Sequence, residues 1–106
     1  MEKSRLEFLE ETVRGAPDNT FARYGLAMEL KNAGRADDAW THFEYLLTHH
    51  PEYSATYAQA GSLLADLGRL DEGRSVFKKG IEVTGRQGKT HARDELQAAL
   101  DDLVGG

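Results

Sequence analysis

Gly34-Arg35-Ala36-Asp37-Asp38-Ala39-Trp40-Thr41-His42-Phe43 returns as Gly68-Arg69-Leu70-Asp71-Glu72-Gly73-Arg74-Ser75-Val76-Phe77, an offset of 34 residues. The correspondence extends outward on both sides. Leu30 recurs as Leu64 and Leu47 as Ile81, while Pro17-Asp18-Asn19 and Pro51-Glu52-Tyr53 close successive segments. A unit of this length cannot bury its apolar face alone, so a repeat of this period implies stacked helical units.

Local punctuation divides the chain into helices. Leu6, Leu9 and Val13 mark a short amphipathic helix over 4–14, which Gly15-Ala16-Pro17-Asp18 ends. Residues 20–33 carry Ala22, Leu26, Ala27, Leu30 and Ala33 at helical spacing; Asn19 is placed to cap the start and Gly34 to occupy the C′ position. Over 36–49, Asp37-Asp38 suits the positive end of the helix dipole, and Ala39, Trp40, Phe43, Leu46 and Leu47 form the apolar face. The second unit follows the same rules. Ser54 is the expected cap of a helix with the stripe Tyr57, Ala60, Gly61, Leu64 and Leu67, stopped by Gly68. Asp71-Glu72 opens the next helix, with Val76, Phe77, Ile81 and Val83 apolar, and Gly85-Arg86-Gln87-Gly88 reads as a turn. A last helix covers 89–103 through Ala92, Leu96, Ala99 and Leu103, before a flexible Gly105-Gly106 end.

At 106 residues one domain is the default, and 40% hydrophobic with 29% charged residues fits a globular chain rather than a disordered one. The net charge of −5 argues against nucleic acid and against an anionic membrane, both of which need a basic face. No apolar run approaches the roughly 20 residues of a membrane span. The N-terminus leads into an amphipathic stretch rather than a signal-peptide core. The absence of cysteine removes disulfide and thiolate chemistry and suits an intracellular, cytoplasmic setting.

These residues resemble the tetratricopeptide repeat family, whose pattern is an aromatic, Leu-Gly and Tyr on a first helix, then Ala and Phe on a second, then Pro. The first unit reads Leu26-Ala27-x-x-Leu30, Ala39-x-x-x-Phe43 and Pro51; Arg23 stands at the usual Trp, so that anchor is missing, although Tyr24 fits a neighbouring aromatic position. The second reads Tyr57-x-x-Ala60-Gly61-x-x-Leu64, Gly73-x-x-x-Phe77 and Gly85, with Gly73 for Ala and Gly85 for Pro. The resemblance implies an all-α, right-handed superhelical array of antiparallel helix pairs, about six helices in all. It divides a single domain over 1–106 into an N-terminal half-repeat helix at 4–14, repeats at 20–51 and 54–85, and a capping helix at 89–103. Gly61, Gly73 and Gly80 fall inside expected helices, where each costs about 0.8–1 kcal/mol relative to alanine. Close helix packing accounts best for Gly61; the composition offers no reason for Gly80.

Catalytic chemistry finds little support. His49 and His50 are adjacent and diverge on a helix; His42 and His49 lack a third ligand at helical spacing. Their plainer role is beside a helix C-terminus, and His91 reads as solvent-facing. Asp37-Asp38 and Asp71-Glu72 are explained by helix N-termini, and Asp101-Asp102 by a solvated, fraying end. There is no phosphate-cradling glycine loop and no nucleophile elbow. The expectation is a protein that is not an enzyme and has no metal or cofactor.

The expected binding surface is a second face of the helix at 20–33. Phe21, Tyr24 and Met28 lie at i, i+3 and i+7 and continue to Lys31. In the family this face lines the concave groove. The equivalents one period later, Ala55, Ala58, Ser62 and Ala65, are small; Lys89 and Ala92 follow, with Arg93 alongside. The resemblance thus implies an aromatic wall, an open floor and a basic far wall, fit for an extended peptide or helix with one apolar anchor and an acidic group. The competing reading packs the three large side chains against the N-terminal helix or one another. Lys89 and Arg93 also suggest the family's clamp for a C-terminal carboxylate, but Tyr24, Met28 and Gln59 stand where its other polar residues belong. The expected role is a non-catalytic protein-interaction module, monomeric or weakly homodimeric. Alternatives are a structural array that self-associates through exposed parts of its last helix, such as Leu100, and a small regulatory subunit of an enzyme complex.

Overall fold

Six helices make up the computed structural model, which describes residues 2–105: α1 (Arg5–Gly15), α2 (Thr20–Asn32), α3 (Ala36–His49), α4 (Ala55–Asp66), α5 (Leu70–Arg86) and α6 (Thr90–Gly105). No strand occurs among the described residues. The chain forms two compact units, Met1–His50 and Pro51–Gly106.

In the first unit α2 packs against both α1 and α3. Leu9, Val13, Leu26, Leu30, Phe43 and Leu46 are buried, and Ala27 and Ala39 are fully so, which lets the α2 and α3 backbones approach. Asn19 caps α2 as expected, its Oδ1 accepting from the Ala22 N–H at 3.0 Å. Gly34 has φ +79°, and its N–H donates to the Lys31 carbonyl while that of Arg35 reaches Leu30. This left-handed close demands glycine. Gly68 repeats it with the same φ at the end of α4.

In the second unit α5 packs between α4 and α6, which also touch each other. Tyr57, Leu63, Leu64, Phe77, Val83 and Leu96 form its core. The three internal glycines have a common cause in close approach. A Cβ on Gly61 would clash with the edge of the Phe77 ring, one on Gly73 would lie 3.2 Å from the Gly61 carbonyl oxygen, and one on Gly80 would lie 2.6 Å from Tyr57 Cβ. Gly80 is therefore one of the points where α5 meets α4, a contact invisible in local sequence.

Three expectations are corrected. Gly85-Arg86-Gln87-Gly88 is not a turn throughout: α5 runs through Arg86, and the chain reverses at Gly88, φ +71°. Backbone bonding continues to that end, the Gln87 N–H donating to the Val83 carbonyl at 3.1 Å, while the buried Thr84 hydroxyl donates to the Gly80 carbonyl at 2.8 Å. Ser54 makes no side-chain cap because its backbone is already helical, φ −69° and ψ −24°; its oxygen instead accepts from Lys89 Nζ at 2.9 Å. Leu100 is buried, only 9% exposed, because α6 turns that face inward with Leu96; Val104 is the exposed apolar residue of this helix.

Candidate functional site

The turn before α2 is organised by Arg23. Its Nε and Nη2 both donate to the Pro17 carbonyl, at 3.1 and 2.8 Å, and its guanidinium carbon lies 3.6 Å from the centre of the Tyr45 ring. Nη1 lies 3.1 Å from His42 Nδ1. Arginine can only donate, so that nitrogen accepts and the His42 proton sits on Nε2. Burial, reinforced by the Arg23 charge, holds the His42 pKa below the ordinary histidine value. With the Trp anchor absent, the turn is held instead by a stacked guanidinium, a flat apolar-faced group that also donates to the backbone. Tyr45 continues the cluster, its hydroxyl donating to Asp18 at 2.6 Å, with His50 Nε2 3.5 Å from the same oxygen. The Tyr45 bond, helped by His50, holds the Asp18 carboxyl below the usual range, and the same bond pushes the Tyr45 phenol up. Arg23 is buried and its bonds face inward, so the cluster secures the turn rather than presenting a ligand surface.

The aromatic face of α2 borders a cavity of about 220 Å³ against α1, lined by Arg5, Leu9, Phe21, Tyr24, Gly25, Met28 and Glu29. An Arg5–Glu29 ion pair at 2.7 Å joins the two helices there. Phe21 is 79% exposed, whereas Tyr24 is half-buried and meets Phe43 edge-on, with centroids 6.2 Å apart. The three large side chains therefore do face the N-terminal helix, yet leave space between. Lys31 is half-buried on the same helix and does not line the cavity.

A second cavity, about 330 Å³, lies in the other unit between α4 and α6. Ala58, Ser62 and Ala65 of α4, Ala99 and Leu103 of α6 and Phe77 of α5 line it, with Asp66 and Asp102. Ala55 is exposed outside it. Lys89 and Arg93 do not reach it either: Lys89 bonds Ser54, and Arg93 pairs with Asp94 at 3.3 Å. Other carboxylates of this unit have partners. Glu52 and Glu82 take Arg86, Asp71 takes Arg74, Glu72 takes Arg69, Glu95 takes His91 and Asp101 accepts from Gln97. Asp66 and Asp102 have none among the described residues. Sequence reasoning missed these two and the α6 residues beside them. Ala92 and Ala99, seven apart, were the available signal for that face.

No group of three or more His, Cys, Asp or Glu side chains is arranged to hold a metal among the described residues. No described helix is long and apolar enough to cross a membrane.

No protein-family profile matches the chain. It is 28% identical over 98 residues to a TPR repeat-containing protein of Pseudomonas aeruginosa, spanning 92% of this chain and 93% of that one. Its structure is similar to that of a tetratricopeptide repeat domain protein from Salinibacter ruber. The solution structure of that protein gives a TM-score of 0.80 at 35% identity, covering 84% of this chain and 90% of that one. Its crystal structure gives 0.79 at 34%, covering 83% and 98%. A Bordetella parapertussis protein at 24% identity shares the fold, with a TM-score of 0.82 over 97% of this chain and 90% of that one.

Proposed function

Because the chain belongs to the tetratricopeptide repeat family, we propose that it is a non-catalytic protein-interaction module that takes a peptide or helix of a partner protein on the exposed faces of its first helices. The observation that carries this reading is the α1–α2 cavity, with Phe21 79% exposed at its edge. An aromatic side chain left in water beside unfilled apolar space favours an apolar anchor from outside. The self-associating reading loses its named residue, since Leu100 is buried.

Selection of random displayed peptides on the purified protein tests the proposal. Enriched peptides are expected, and Phe21→Glu with Met28→Glu should abolish their binding without changing the thermal unfolding midpoint. Failure of the wild-type protein to enrich any peptide, or undiminished binding by the double variant, would overturn the reading.

A further inference from the structure

Helix C-termini carry partial negative charge, which a basic side chain in the last turn offsets. Four helices follow this rule: Arg14 closes α1, Lys31 α2, His49 α3 and Arg86 α5. Helices α4 and α6 have no basic residue in the last turn. Each instead carries a carboxylate near its C-terminal end, Asp66 on α4 and Asp102 on α6, and both line the same cavity. The floor between them is mainly apolar, formed by Ala58, Ala65, Ala99, Leu103 and Phe77 with Ser62. Two carboxylates and two helix C-termini without a basic last-turn residue thus place negative charge at the edge of an apolar depression.

We infer that this cavity receives a lysine or arginine side chain of the partner protein, its methylene stem on the alanine, leucine and phenylalanine surface and its charged head at Asp66 and Asp102. Such side chains combine an apolar stem with a cationic tip, which matches the lining. The incoming cation supplies the charge that α4 and α6 lack. An acidic partner group is disfavoured here, because Lys89 and Arg93 are engaged with Ser54 and Asp94. The inference rests on the proposed role as a peptide-binding module and gives the α4–α6 cavity its own ligand chemistry.

The enriched peptides of the selection described above are the probe. They should share a lysine or arginine at one position. Asp66→Asn with Asp102→Asn removes an unfavourable dipole interaction at each helix, so this variant should remain folded. Fluorescence anisotropy with an enriched peptide should show about fivefold weaker binding for each carboxylate removed, consistent with a partly exposed ion pair. The wild-type affinity should fall with added salt, and that of the variant should not. Replacing the shared basic residue by glutamine should reproduce the loss. Enriched peptides without a common basic residue, or equal affinity for wild type and the Asn variant, would overturn the inference while leaving the peptide-binding role intact. Concentration-dependent dimerisation in sedimentation, abolished by the Asn variant, would also overturn it by assigning the cavity to a second copy. If no peptide is enriched at all, both readings fall together.

Discussion

Arg23 and Tyr57 stand one period apart, and each donates to the carbonyl of the proline six residues before it, Pro17 and Pro51 respectively. The repeat conserves a bond between its turn and its first helix, while the donor changes from a guanidinium to a phenol. The guanidinium makes more of the position, bonding twice to the carbonyl, contacting His42 and stacking on Tyr45.

Substitutions at the two positions should differ accordingly. Arg23→Ala should cost about 2–4 kcal/mol by removing several bonds and the ring contact, whereas Tyr57→Phe should cost about 1 kcal/mol for one neutral bond. Arg23→Lys should recover little, because a single ammonium cannot bond twice and stack at once. Urea unfolding of the three variants measures the order.

His42 makes stability depend on pH. Its folded pKa is lowered first by burial and then by Arg23, with Asp38 and Glu10 opposing. Between that lowered value and the ordinary one, about 6.5, the unfolded chain binds more protons. Stability is therefore full above about pH 6.5 and declines as pH falls toward the folded pKa. His42→Gln, which keeps an acceptor for Arg23, should flatten this part of the profile in urea unfolding at successive pH values.

Gly80→Ala should destabilise the protein despite the better helix propensity of alanine. The propensity gain is about 1 kcal/mol, but the new methyl would meet Tyr57 Cβ at 2.6 Å, an atom fixed close to its own backbone. Overpacking of this kind costs about 1–3 kcal/mol or more, so a lower thermal midpoint is expected.

Asn19 and Ser54 begin successive first helices and should respond differently to alanine. Asn19 accepts from the Ala22 N–H, so its loss should cost about 1 kcal/mol. Ser54 makes no cap and holds only an exposed bond from Lys89, so its change should fall within about 0.5 kcal/mol. Chemical denaturation of the two single variants decides the point.

The repeat, the six helices and most of their ends were legible in the sequence, because each depends on residues within a few positions. A glycine at C′, an acid in the first turn or a proline past the last turn acts locally. The end of α5 was misread for the same reason: Gly85 and Gly88 look alike in sequence, and only Gly88 has positive φ, while Gly85 stays helical within α5. Phe21, Tyr24 and Met28 could be grouped from helical spacing, but nothing local revealed the cavity they share with Arg5 and Leu9.

By itself, then, the sequence determined an all-α repeat, its period and the phase of each apolar stripe, since periodicity and chain punctuation are short-range properties. Tertiary structure decided what fills the place of the missing aromatic anchor, why Gly80 must lack a side chain, and which carboxylates remain unpaired. Those outcomes depend on contacts between segments distant in the chain. Arg23 needs Tyr45 from α3, Gly80 needs Tyr57 from α4, and Asp66 shares its cavity with Asp102 of α6.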